Sequence, residues 1–324
     1  MKRLFKDFFE SEKIGGLALI FCTIFSLLLT NVFPHSGYVS LWHDIAWIND
    51  GLMTIFFLLI GVELKRELTS GELSQIKQAA LPAIAALGGM VVPALIFALF
   101  NWGLPTFSGA GIPVATDIAF ALAILSLVGK RVPLSIKMML TALAVIDDLG
   151  AIFVIALFYS GALSWLYLGL AGLILVALGV CNRLGVARLS PYLMGGVVLW
   201  YLMIHSGIHA TISGVMVAFM IPVGAGSERL ERVLNKPVAF LILPLFALAN
   251  MCLPLSSQWH EGLWQPQSLG IIFGLLVGKP VGIFLFSFVA VMSGICVLPK
   301  GLGWRHILGV GFLGGVGFTM SLFI

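Results

Sequence analysis

Asp147 and Asp148 stand side by side near the middle of an apolar run, residues 138–159, MMLTALAVIDDLGAIFVIALFY. A charge at mid-membrane depth costs at least ~2.5–3.5 kcal/mol on insertion scales, so carboxylates there usually mark an ion or proton pathway. Neighbouring residues on a helix point ~100° apart, because a turn takes 3.6 residues. The two acids therefore cannot both face one partner. One can meet a cation on another helix while the other faces a water-filled cavity. The obvious membrane cation is Lys279, in GLLVGKPVGIF (274–284). Paired with Asp147 or Asp148 it holds its proton; buried and unpaired it tends to lose it. One cation for two acids leaves at least one carboxylate for something that comes and goes.

A third acid follows a break. In GAGIPVATDIAFAL (109–122), Pro113 removes a backbone donor and disfavours helix at Ile112. Thr116 and Asp117 come next, where a half-helix N-terminus would present positive partial charge that a carboxylate offsets. Near the end, GVGFTMSLFI places Gly314, Gly315 and Gly317 beside Thr319 and Ser321, a second weakened helix with hydroxyls to satisfy freed backbone groups. Two interrupted segments in the two halves of a chain point to inverted repeats with an ion site at the bilayer midplane.

The remaining candidates are peripheral. WINDGLMTIFFLLIGVELKRE begins with Asp50 and ends with Glu63, Lys65, Arg66 and Glu67. Lys65 and Arg66 read as anchors, whereas carboxylates contribute little to topology, so Glu63 and Glu67 suggest a vestibule or regulatory role. His205 and His209 are i,i+4, the spacing of a two-His metal face, but no H-E-x-x-H pattern accompanies them. Glu228, Arg229, Glu231 and Arg232 read as a solvated helix start in the polar stretch VGAGSERLERVLNKP.

The elements that must position these groups are membrane helices. The 324 residues are 60% hydrophobic and 10% charged, against roughly 45–50% and 25% in soluble domains. At ~20 apolar residues per span, eleven candidates emerge, centred near residues 23, 54, 90, 119, 149, 172, 197, 214, 246, 281 and 316. Of the 18 Lys and Arg, all but Lys279 fall at the N-terminus or in every second connection, the positive-inside pattern that puts the N-terminus in the cytoplasm. The net charge of +4 is thus a topology signal and does not suggest nucleic-acid binding. Cys22, Cys181, Cys252 and Cys296 lack C-x-x-C or Cys/His spacing, and read as buried thiols rather than disulfides or zinc ligands. Residues 1–13 suit an amphipathic helix on the cytoplasmic surface, followed by an uncleaved first span. PHSGYVSLWH after that span reads as a short extracytoplasmic hairpin or an interfacial aromatic loop.

At VATDIAFAL, AVIDDLGAI, FLLIGVELKRE, SGIHATISGV, the GKP around Lys279 and GFTMS, the chain resembles the NhaA family of sodium/proton antiporters, colinearly over nearly its whole length. NhaA is itself a known example of the inverted-repeat layout. The resemblance implies an all-α polytopic membrane protein of NhaA-like inverted-repeat fold, with two interrupted helices crossing at mid-membrane. The family has twelve spans, and the eleven counted here lack the twelfth. Residues 1–324 form one transporter domain, with core spans within 79–159 and 269–324 and interface-type spans within 14–65 and 165–255. It further implies that Asp148 with Asp147 forms the site where Na+ or Li+ competes with protons, and that Lys279 pairs with Asp147 in the protonated, inactive arrangement. Asp117 and Thr116 sit at the helix crossing. Glu63, Lys65, Arg66, Glu67, Glu231 and His209 match elements tied to activation at alkaline pH. The hairpin near residues 33–43 resembles a homodimer contact.

The expected activity is electrogenic exchange of cytoplasmic Na+ or Li+ for external H+ by alternating access in the bacterial inner membrane, without enzymatic chemistry or a cofactor. A sodium-coupled symporter of an organic anion would share the plan, but Asn, Gln and Arg are scarce inside the spans. An intramembrane aspartyl protease could use two aspartates sharing a proton; Lys279 would disturb that proton, and no G-x-G-D context is present.

Overall fold

The computed structural model describes residues 2–33, 37–42, 45, 47–70, 76–127, 132–158, 163–255, 259–299, 301–317 and 321. Among these, the regular structure is helical. The chain divides into two compact units: Met1–Pro34 with Glu72–Phe153 and Leu253–Ile324, and His35–Gly71 with Val154–Cys252.

The first unit holds α1 (Lys2–Val32), α4 (Ile76–Phe100), α5 (Ile118–Leu127), most of α6 (Leu134–Phe158), α12 (Trp259–Gly262), α13 (Pro266–Phe273), α14 (Lys279–Met292) and α15 (Trp304–Gly314). The expected surface helix of residues 1–13 and the first span form one unbroken helix, α1. Ahead of α5, Pro105–Val114 winds as a tight 3-10 helix that ends at extended Ala115. A wide π-type turn, Gly274–Gly278, joins α13 to α14 just before Pro280. Proline lacks the N–H that an α-helical rung needs and its ring crowds the preceding turn; a widened turn absorbs both.

Small residues let α14 and α4 approach backbone to backbone. A Cβ on Gly282 would collide with the Gly88 carbonyl, and one on Gly88 with Gly282 and Phe286. Such seams are how membrane helices gain packing contacts when the surrounding lipid is as apolar as the side chains. Beyond the seam, Leu81, Ala85, Leu122, Leu140, Leu143, Ile283, Ile307 and Val310 close one core drawn from α4, α5, α6, α14 and α15.

The second unit contains α2 (Tyr38–Leu41), α3 (Met53–Ser70), α7 (Trp165–Arg183), α8 (Ser190–Ile204), α9 (Ile212–Met220), α10 (Ala225–Pro237) and α11 (Leu243–Asn250). A wide-turned segment, Trp47–Leu52, leads into α3. Where a hairpin was a candidate, Tyr38–Leu41 is a single helical turn, and the Tyr38 hydroxyl donates to the Leu248 carbonyl at 3.3 Å; residues 34–36, 43 and 44 lie outside the described residues. The polar stretch read as a solvated helix start is helical, as α10, but Glu231 within it is buried, and α10 runs through Val238–Ile242 into α11.

Among the described residues, six helical stretches are long and apolar enough to cross a membrane: Ile14–Val32, Trp47–Thr69, Ala80–Phe100, Trp165–Arg183, Ala225–Asn250 and Pro266–Met292. On α7, Leu166, Leu173 and Val176 are each at least 66% exposed, a face that water would reject and lipid would cover. The chain is therefore a multi-pass membrane protein.

Candidate functional site

The acids of α6 lie in the first unit, and the helix sends them to different places. Asp147 Oδ2 accepts from Lys279 Nζ at 2.5 Å, with both side chains fully buried. The Lys279 ammonium also donates to the Val114 carbonyl. That carbonyl ends the 3-10 helix, whose break before Asp117 frees it from a helical rung. Gly89 on α4 lies beside the lysine stem, where a Cβ would rest in ordinary contact with Lys279 Cε at 3.7 Å; the close approach it permits is to Ile283 Cγ1, at 2.9 Å. Asp148 is 1% exposed and acts electrostatically on Lys279 without being its hydrogen-bonded partner.

Thr116 bridges the two interrupted segments. Its hydroxyl meets Asp147 Oδ2 and lies 2.8 Å from the Gly314 carbonyl at the end of α15. A hydroxyl has one hydrogen, so it donates to one of the two at a time. Asp117 accepts from the Phe120 N–H at 2.9 Å, capping α5, while its own N–H donates to the Val316 carbonyl at 2.6 Å. The crossing admits nothing larger than hydrogen on the second strand: a Cβ on Gly317 would lie 2.8 Å from the Ala115 carbonyl. Extended backbone at this depth is tolerated because the other segment satisfies it.

Among the described residues of this unit, Asp117, Asp147 and Asp148 are buried acids and Lys279 is the one buried ammonium. Asp147 Oδ1 is buried with no hydrogen-bond partner among them. Burying an ionised carboxylate is expensive unless it is paired, so this cluster favours protons or a small cation. The donors at hand are carboxylate, hydroxyl and carbonyl oxygens, the ligand set of hard cations.

The other sequence candidates lie in the second unit and separate into three groups. Arg66 donates to Glu231 at 2.6 Å and Glu67 at 3.2 Å, and Glu63 lies within electrostatic reach of all three. Lys65, although adjacent, turns away and donates to the carbonyls of Phe219 at 2.7 Å and Ile221 at 2.5 Å, at the C-terminus of α9. Asn182, which sequence reasoning missed, donates to the intervening Met220 carbonyl at 2.5 Å. Asp50 forms the third group with His209, which acts on it electrostatically, while its carbonyl accepts from Trp200 Nε1 at 2.9 Å. His205 and His209 do not share a helical face. The α-helix ends at Ile204 and the chain turns through Gly207 at φ +87, while the His205 ring packs against Tyr201 and Tyr167.

Sequence reasoning also missed the carbonyls of Val114 and Gly314. Backbone carbonyls carry no residue signature; the only available signal was the Pro and Gly content that interrupts those helices.

A multi-pass helical bundle with two interrupted segments crossing beside buried carboxylates defines the class of secondary transporters. The comparisons narrow it. Residues 6–324 match the Na+/H+ antiporter 1 family, and the chain belongs to that family. It is 57% identical to Na(+)/H(+) antiporter NhaA 1 of Flavobacterium johnsoniae, covering 100% of this chain and 88% of that protein. It is 59% identical to Na(+)/H(+) antiporter NhaA of Flavobacterium psychrophilum (99% and 87% covered) and 47% identical to that of Escherichia coli O6:K15:H31 (100% and 89% covered). The sodium proton antiporter MjNhaP1 from Methanocaldococcus jannaschii shares the fold at a TM-score of 0.51 with 16% identity, covering 97% of this chain and 98% of that one.

Proposed function

We infer that the protein is an electrogenic secondary antiporter that exchanges cytoplasmic Na+ or Li+ for external H+ across the bacterial inner membrane, its N-terminus cytoplasmic, and is activated at alkaline pH. The observation that carries the reading is the buried 2.5 Å bond from Lys279 to Asp147, with a second acid, Asp148, one residue along the helix. The family membership and the names of the relatives support the same reading.

Ionised Asp148 offers a sodium ion oxygen ligands together with nearby carbonyl and hydroxyl oxygens. A proton on Asp148 removes that charge, so H+ and Na+ exclude one another at a single site. Competition of this kind is sufficient for exchange when the site opens alternately to the two sides. A second proton enters through the pair. When the Asp147–Lys279 bond parts, Lys279 releases its proton and Asp147 turns to the ion; protonating the pair restores the bond and expels the ion. Thr116 turns its one hydrogen from Asp147 to the Gly314 carbonyl as Asp147 exchanges the lysine for the ion. Two protons for one sodium ion move net charge, which lets the membrane potential drive sodium out. The cluster of Glu63, Arg66, Glu67 and Glu231 supplies the charged groups for the alkaline response.

The test is purified protein in vesicles carrying a pH gradient. Adding Na+ or Li+ to the wild type dissipates the gradient and K+ does not. If Asp148→Asn exchanged Na+ at the wild-type rate, the site assignment would be wrong.

A further inference from the structure

About 18 Å along α4 from Gly89, at 1.5 Å per residue, the helix ends on a fully buried amide, Asn101. Its Nδ2 donates to the Phe97 carbonyl at 2.9 Å and the Pro266 carbonyl at 3.3 Å, and its Oδ1 accepts from the Thr106 hydroxyl at 2.7 Å. The partners fix which way the amide points, because the reverse orientation would set its oxygen against two carbonyls. Gly270 belongs to the same joint, since a Cβ there would lie 2.9 Å from Asn101 Nδ2 and 2.9 Å from Phe97.

Three rods leave this amide and reach Lys279. From Asn101, α4 runs back to Gly89 beside the lysine stem. From Thr106, the 3-10 helix runs to Val114, eight residues or about 16 Å at ~2.0 Å per residue. From Pro266, α13 and the wide turn run to Lys279 itself, 13 residues or about 20 Å at helical rise. The near-equal lengths let all three close on one point. They touch again along the way, where a Cβ on Gly274 would lie 3.0 Å from Pro113 Cβ and one on Gly278 would lie 2.9 Å from Ile96 Cδ1.

We propose that Asn101 is a positioning residue for the ion site: its amide sets the register of the 3-10 helix against α13, and so holds the Val114 carbonyl on the Lys279 ammonium. Resting on the antiporter reading, this makes the Val114 carbonyl a second acceptor that the lysine holds beside Asp147, and Asn101 the group that keeps it in place. The charged groups acting on Lys279 are Asp147 and Asp148 of α6; α4 meets it at Gly89, so a change at the joint reaches it through Val114.

The test uses full-length protein in vesicles and begins with the wild type, whose failure to exchange Na+ for H+ would overturn the antiporter reading itself. Given exchange, Thr106→Val removes one hydroxyl at a partly exposed position and Thr106→Ser restores it. The loss of one hydrogen bond displaces the pH of half-maximal exchange by about half a unit to one unit in Thr106→Val, and Thr106→Ser returns it to wild type. Asn101→Asp keeps the acceptor for Thr106, loses both donors and shifts the profile at least as far; should it fail to fold, the Thr106 pair decides. A Thr106→Val profile superimposable on wild type overturns the proposal, whether or not its melting temperature changes.

Discussion

The two units carry their charges under opposite conditions. Around Lys279 the charges are fully buried, acids outnumber the base, and the base holds a carboxylate and a carbonyl at once. Around Arg66 the charges are half in contact with the surroundings: the Arg66 side chain is 41% exposed while its partner Glu231 is 11% exposed. A buried pair is strongly coupled and cannot be broken cheaply from one side; a partly exposed pair is screened and contributes little. The first arrangement suits a step in which a charge must be exchanged for another. The second suits a response that tunes without holding the fold together.

Five measurements sharpen or break this contrast, four by substitution and one by salt. The largest effect is expected from Asp148→Asn, which removes the charge proposed to hold the cation; exchange falls by ~100-fold or more, in the range expected when one partner of a desolvated charged contact is removed, with expression unchanged. Next is Lys279→Ala, which leaves Asp147 buried without its cation and lowers stability by about 3–5 kcal/mol, read as a fall in melting temperature in detergent. The double variant Asp147→Asn with Lys279→Met recovers most of that loss, because two neutral side chains need no compensation; recovery absent from the double variant would mean the bond is not the unit it is taken for. Third, Lys65→Met removes the ammonium from the α9 carbonyls. It costs about 1.5–3 kcal/mol, the range for hydrogen bonds to charged groups, and it leaves the pH profile alone. Smallest is Arg66→Ala, which costs under about 1 kcal/mol and shifts the pH profile without lowering the maximal rate; a large stability loss there would erase the distinction between the units. Raised salt weakens the Arg66 contacts and leaves the Lys279 bond intact, since screening reaches exposed charges far better than buried ones.

The contrast within neighbouring residues is as informative. Lys65 and Arg66 are consecutive and of like charge, yet Lys65 caps the C-terminus of α9 while Arg66 pairs with Glu231. The 100° step of the helix separates their directions. A lysine at the C-terminal end of a helix meets carbonyls that have no partner of their own and the negative end of the helix dipole, which explains an ammonium serving α9 with two bonds. The resemblance grouped both residues with the alkaline response; their contacts give them different partners.

Several features were legible in the residues alone. Low charge and long apolar runs announced membrane helices, and Pro113 with the glycines from Gly314 to Gly317 marked both interruptions. Two adjacent aspartates facing one lysine established that a single cation could not satisfy both. Each is a local property: the free energy of placing a residue in an apolar medium, or of fitting a proline into a helix, depends on that residue and its immediate neighbours. Tertiary structure decided which acid took the lysine, which carbonyls joined it, that the polar run 225–237 belongs to a helix continuing to Asn250, and that His205 and His209 part company at a turn. Those outcomes depend on distances between segments far apart in the chain, such as Asn49 and Asn250, whose reciprocal amide bonds span 201 positions. Hydrogen bonds reach about 3 Å, and no residue type or spacing records which strangers the packed helices will bring that close.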